Sequence, residues 1–147
     1  TENMLRKTEV PVLAISCRRA FHLNDVLIAT DLSTHIPEKL ISLCQLFESE
    51  GARIHIANII ATDMITKKEV LDKANDFASK YRLLRPKYHV IEQKDIVRGI
   101  ENVSKKIDAD LILLKTYEKS GFWSFFAGSI AEKVIRSVDT PTLSERV

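Results

Sequence analysis

Two hydrophobic periods alternate along the chain. Residues 25–30, "DVLIAT", and 53–60, "RIHIANII", are short β-branched runs that read as strands. Residues 87–92, "KYHVIE", form a thinner run of the same kind. Residues 109–116, "ADLILLKT", are apolar almost without a break, as expected of a strand buried on both faces of a parallel sheet. Between these runs the apolar positions recur every three or four residues. Ile36, Leu40, Leu43, Cys44 and Phe47 make one stripe, and Val70, Ala74, Phe77, Ala78 and Tyr81 a second. Ile96, Ile100, Val103 and Ile107 make a third, and Ile130, Val134, Ile135 and Val138 a fourth. That spacing buries one face of a helix. Ser129 and Glu132 have the spacing of a capping box, which predicts that the last helix begins there. Pro141 stops it, and "PTLSERV" (141–147) reads as a closing strand. Strand and helix in alternation predict an α/β fold: an open five-stranded parallel sheet with helices on both faces.

Composition narrows the class further. With 147 residues the chain can bury the core of one domain, and 45% apolar with 29% charged residues is the balance of a globular protein. A net charge of +2 without a basic block gives no footing for nucleic-acid binding. No apolar run approaches the ~18 residues of a membrane span. The first ten residues, "TENMLRKTEV", lack the apolar core of a signal peptide, so reduced thiols in the cytoplasm are expected for Cys17 and Cys44. The two cysteines and the four histidines, His22, His35, His55 and His89, show no metal-ligand spacing, and no metal is expected.

The amino-terminal piece fits the end of such a domain rather than its start. Laid over one another, "TENMLRKTEVPVL" (1–13) and "AEKVIRSVDTPTL" (131–143) match at Glu2 with Glu132, Arg6 with Arg136, Pro11 with Pro141 and Leu13 with Leu143. Residues 1–15 therefore read as the last helix and strand of a preceding repeat, 16–24 as a linker and 25–147 as the domain proper.

Three stretches carry a family resemblance. "VLIATDLS" ends a first strand in Asp-x-Ser, "IDADLILLKT" places Ala-Asp before a fourth strand, and "AGSIAEKVIRSVDTPTL" runs from Gly-Ser through a helix to Pro and a strand. Together they resemble the universal stress protein family, in the manner of its tandem-domain members. The resemblance implies a Rossmann-like sheet of the adenine nucleotide alpha hydrolase type, strand order 3-2-1-4-5 counted from residue 25. Any site should then lie beyond the carboxyl ends of strands 1 and 4. Family members that bind ATP carry Gly, two residues, Gly, nine residues, Gly-Ser/Thr after the fourth strand. Here those positions are Lys115, Glu118, Gly128 and Ser129. Two lost glycines remove the close backbone approach that a phosphate needs, and Glu118 brings a like charge. Gly128 and Ser129 keep a helix start, an anion site of low specificity because every helix has one. Asp31 falls where relatives contact the nucleoside, though an Asp there also caps the next turn. Ala29 and Ile59 fall where relatives line an adenine pocket, though apolar strand ends more often simply pack.

The expected function is thus a non-enzymatic stress-response module that lacks standard ATP binding. Its partner is another domain of the same kind, met through the final strands, with no nucleic acid, membrane or cofactor. The alternative is a regulatory module that binds ATP with Mg. A receiver domain would use Asp31 and Lys115 but lacks an Asp after the third strand, which ends near Glu92, and no Gly-x-Ser-x-Gly elbow marks a hydrolase. Lys115 is expected to fill the crevice by pairing with Asp31 or Glu118. Phe122, Trp123, Phe125 and Phe126 are expected to pack the loop against the core, Trp123 being the one suited to exposure.

Overall fold

The structure is a computed structural model that describes residues 10–15, 22–32, 38–61, 66–116 and 124–146. Its strands are β1 (Val12–Ala14), β2 (Asp25–Ala29), β3 (Arg53–Ile60), β4 (Lys87–Glu92), β5 (Leu111–Thr116) and β6 (Thr142–Arg146). Its helices are α1 (Glu38–Ser49), α2 (Lys67–Lys80), α3 (Ile96–Ile107) and α4 (Ser124–Ser137). The sheet order is β1-β6-β5-β2-β3-β4. It therefore has six strands rather than the expected five: β2 to β6 stand in the expected order 3-2-1-4-5, read as β4-β3-β2-β5-β6, β1 extends that order beyond β6, and the sheet is mixed rather than wholly parallel. β2 to β6 pair parallel with their neighbours, whereas β1 lies antiparallel on β6. The difference arises because residues 12–14, assigned to a preceding repeat, join the same sheet through the outer edge of β6.

Side-chain alternation sorts the sheet into two packed layers. Val26 and Ile28 of β2 face one way with Leu111 and Leu113 of β5, against Leu40, Ile41 and Cys44 of α1 and Phe77 and Ala78 of α2. Leu27 and Ile112 face the other way, against Ile100 and Val103 of α3 and Ala131 and Val134 of α4. Burying each such aliphatic side chain contributes about 1.5–3 kcal/mol. α1 and α2 thus cover one face and α3 and α4 the other. The chain changes face and direction between β2 and β5, so the sheet opens a crevice beyond their carboxyl ends.

Local chemistry fixes the helix starts. Thr66 stands in extended backbone before α2. Its hydroxyl accepts from Glu69 N while Glu69 Oε2 accepts from Thr66 N, a complete capping box. Asp95 caps α3 by accepting from Arg98 N, and Asp108 ends that helix in left-handed backbone at φ 51°. The last helix departs from expectation: it starts at Ser124, not at Ser129. Phe126, Ile130 and Val134 continue one stripe at a spacing of four. The glycine among them costs only about 1 kcal/mol relative to Ala, so nothing forces the helix to begin later.

Candidate functional site

The crevice mouth is built where β2 ends. Ala29 is the last residue of β2, half-buried on the α3 side, with Ala57 of β3 and Leu114 of β5 as its register neighbours. Thr30 follows, and its N–H still donates to Ala57 O at 3.0 Å. Asn58 of β3 donates through Nδ2 to Thr30 O at 3.0 Å, and Thr30 Oγ1 accepts from Leu32 N at 3.0 Å. These bonds turn the chain out of the sheet. Leu32 takes a positive φ of 59°, uncommon for a residue with a Cβ, and packs partly buried against the α1–α2 layer. Asp31 is left exposed at the tip of this turn.

Ile59 of β3 is half-buried on the same face as Ala29, held between the sheet and α3. Ala29 and Ile59 are thereby brought to one side of the crevice. Lys115 is not on that side. In β5 it follows Leu113 by two, so its side chain leaves toward α1, and its register partner on β6 is Glu145. Glu145 is buried at 4% exposure beside the start of α1. Burial pushes its carboxyl up, opposed by the charge of Lys39 and by a hydrogen bond from the backbone N–H of Leu40. The neighbour of Lys115 across the ladder is therefore an acid that sequence reasoning missed.

Glu118 lies outside the described residues. Phe122 and Trp123 lie outside them too, as do the side chains of Phe125 and Phe126. Gly128 and Ser129 fall in the second turn of α4. The expected anion site at a helix start there is thus displaced, because the free N–H groups of a helix are its first four.

A second cluster of polar groups sits at the opposite, amino end of the strands. Asp25 opens β2 and is buried. Arg53 Nε donates to its Oδ1 at 2.7 Å, and Arg53 also bonds Oδ2. His55 Nε2 lies 2.9 Å from Asp25 Oδ1, and His55 Nδ1 lies 2.9 Å from His89 Nε2. Asp110 Oδ2 accepts from the N–H groups of Asn24 at 2.8 Å and Asp25 at 3.0 Å. The hydrogen bond from Arg53 holds the Asp25 carboxyl below its usual range, against burial and with help from His55. No group of three or more His, Cys, Asp or Glu side chains among the described residues could hold a metal ion. No helix among them is long and apolar enough to cross a membrane.

Comparison with known proteins agrees with this architecture. The profile of the universal stress protein family matches residues 23–144. A functionally unknown protein from Pseudomonas aeruginosa superposes with a TM-score of 0.71 at 20% identity, over 98% of this chain and 54% of that one. A universal stress protein from Archaeoglobus fulgidus gives 0.72 at 17% identity, over 99% and 54%. The chain thus spans about half the length of these two. A universal stress protein in complex with cAMP gives 0.63 at 20% identity, over 83% of this chain and 95% of that one. At such identities the likeness is one of fold. No curated protein sequence matches the chain.

Proposed function

The chain belongs to the universal stress protein family, and on that premise we propose that it is a non-enzymatic stress-response module that works by domain pairing and does not use ATP. The observation that carries this reading is the register of β1 on β6. Leu13 faces Leu143, with Val12 opposite Ser144 and Ala14 opposite Thr142. Leu13 and Leu143 are also the residues that coincide when residues 1–13 are laid over 131–143. Two equivalent strands that cross antiparallel at their equivalent residue make a self-complementary contact, the signature of a two-fold axis between like domains. Residues 1–15 then act as the end of a preceding repeat joined by a linker at 16–24. A partner domain meets β6 in that way, in the cytoplasm.

The crevice supports the second half of the proposal. Lys115 and Glu118 stand at two of the three glycine positions of ATP-binding relatives. Lys115 lies within a regular ladder beside buried Glu145, which leaves side chains where phosphate needs bare backbone. Isothermal titration with Mg-ATP tests this: no saturable heat is expected, and a stoichiometric binding curve would overturn it. The alternative, an adenine-nucleotide-responsive module, is favoured by the relative described in complex with cAMP. Ala29 and Ile59 would pack such a base, and Asp31 would meet the ribose. A parallel titration with cAMP separates the two readings, since that ligand lacks the polyphosphate that Glu118 would repel.

A further inference from the structure

The cluster at the amino end of the sheet orders its own protons. A carboxylate only accepts, so the His55 nitrogen that faces Asp25 carries a hydrogen. In a neutral His55 the other nitrogen, Nδ1, is then a lone pair, and His89 Nε2 must be the donor to it. Asp25 and His55 are both more than nine-tenths buried, whereas His89 is only partly covered. Protons therefore enter at His89 Nδ1, the nitrogen not engaged with His55.

We propose that Asp25, His55 and His89 form a two-step acid sensor: the imidazole pair accepts a first proton with its hydrogen bond intact, and a second breaks that bond and loosens the edge strand β4. The first step balances without rearrangement. A solvent proton binds His89 Nδ1, and the Nε2 proton passes to His55 Nδ1. His89 is left neutral as the Nδ1–H tautomer, with its Nε2 now accepting. The positive charge rests on His55 beside the Asp25 carboxylate. A second proton has no such place. With both rings cationic, two N–H groups would point at each other across 2.9 Å.

The surroundings reinforce this limit. Arg53 shares Asp25 with His55, Lys87 flanks His89 on β4, and the charge of Lys106 on α3 also acts on it. Asp110, before β5, is engaged with backbone N–H groups at Asn24 and Asp25. Burial first, and then the charges of His55, Lys106 and Lys87, hold the His89 imidazole below its ordinary range. β4 is the outermost strand and pairs only with β3 among the described strands, so the imidazole bond is a side-chain tie across its one ladder.

The test is a titration of the full chain, with ¹⁵N-labelled imidazoles followed by long-range ¹H–¹⁵N correlation, alongside amide hydrogen exchange of β4. Two steps separated by more than about one pH unit are expected. After the first, His55 should show two protonated nitrogens and His89 the Nδ1–H tautomer. Exchange protection of Tyr88 to Ile91 should fall only with the second. In His89→Gln the amide can still donate to His55, and the acid-induced loss of β4 protection should vanish. Independent titration of the two rings at ordinary values, no titration of His55, or β4 protection lost in the first step would overturn the proposal. So would an acid step that persists unchanged in His89→Gln.

Discussion

Gly99 and Ile59 are in such close contact that a Cβ on the glycine would stand 2.7 Å from Ile59 Cγ2 and 3.0 Å from its Cδ1. The β-branched side chain is stiff at χ1 and cannot swing aside freely. Gly99→Ala should therefore overpack this junction at a cost of about 1–3 kcal/mol, offset by about 1 kcal/mol of helix propensity. The expected outcome is a lower urea midpoint with an unchanged slope. A higher midpoint would mean that Ile59 moves toward the crevice without strain.

Asp25 should give the protein an acid-sensitive stability. Its carboxyl is held below the usual value of 3.8, first by the hydrogen bond from Arg53. The unfolded chain thus takes up this proton at higher pH than the folded one does. The stabilisation is complete above the unfolded value and is lost as pH falls below it toward the folded value. Thermal melts between pH 5 and about pH 2 should show this slope, and Asp25→Asn should flatten it. A slope equal to that of the parent in Asp25→Asn would assign the effect to other carboxylates.

Removing residues 1–15 should uncover the edge of β6 and the side chain of Leu143, which is buried opposite Leu13. An uncovered edge is a template for another strand. Light scattering should then show a new or tighter dimer, and the melting temperature should fall. A truncated chain with the same mass in solution and the same melting temperature would rule out a stabilising role for β1.

Cys44 should be chemically silent in the folded protein. It is buried between α1 and the sheet, and burial pushes its thiol up to about 12. A Cys17→Ser variant should resist iodoacetamide at pH 8 until denaturant is added, because the thiolate is the reacting form. Rapid labelling without denaturant would show that α1 opens readily.

Particular residues show what sequence could and could not reveal. The strand at 109–116 was legible from its nearly continuous apolar run, yet the ladder begins at Leu111, with Ala109 N and Asp110 N bonded to Ser104 O and Asp25 O. Thr66 with Glu69 and Ser129 with Glu132 share one spacing, but only the former pair caps a helix. The difference lies in the backbone before each residue: extended at Thr66, already helical at Ser129. Periodicity placed Ala29 and Ile59 near strand ends, but their place at the crevice came from the family resemblance, which supplied the strand order. The Lys115–Glu145 neighbourhood and the chain from Asp25 to His89 depend on register between strands far apart in sequence. The one available signal was that Arg53 and His55, and Lys87 and His89, occupy alternate positions at the openings of their strands.

The pairing of β1 with β6 also bears on the order in which the fold assembles. It joins the first described strand to the last, so almost the whole chain lies in the loop that this contact closes. Closing so long a loop before the rest exists costs entropy that three residue pairs cannot repay. Once β2 to β5 have formed and β6 has docked on β5, most of that loop is already ordered and β1 needs to search only a short distance. β1 therefore belongs to the late events of folding. Mutations in it should speed unfolding and leave the folding rate nearly unchanged, as for any contact absent from the transition state.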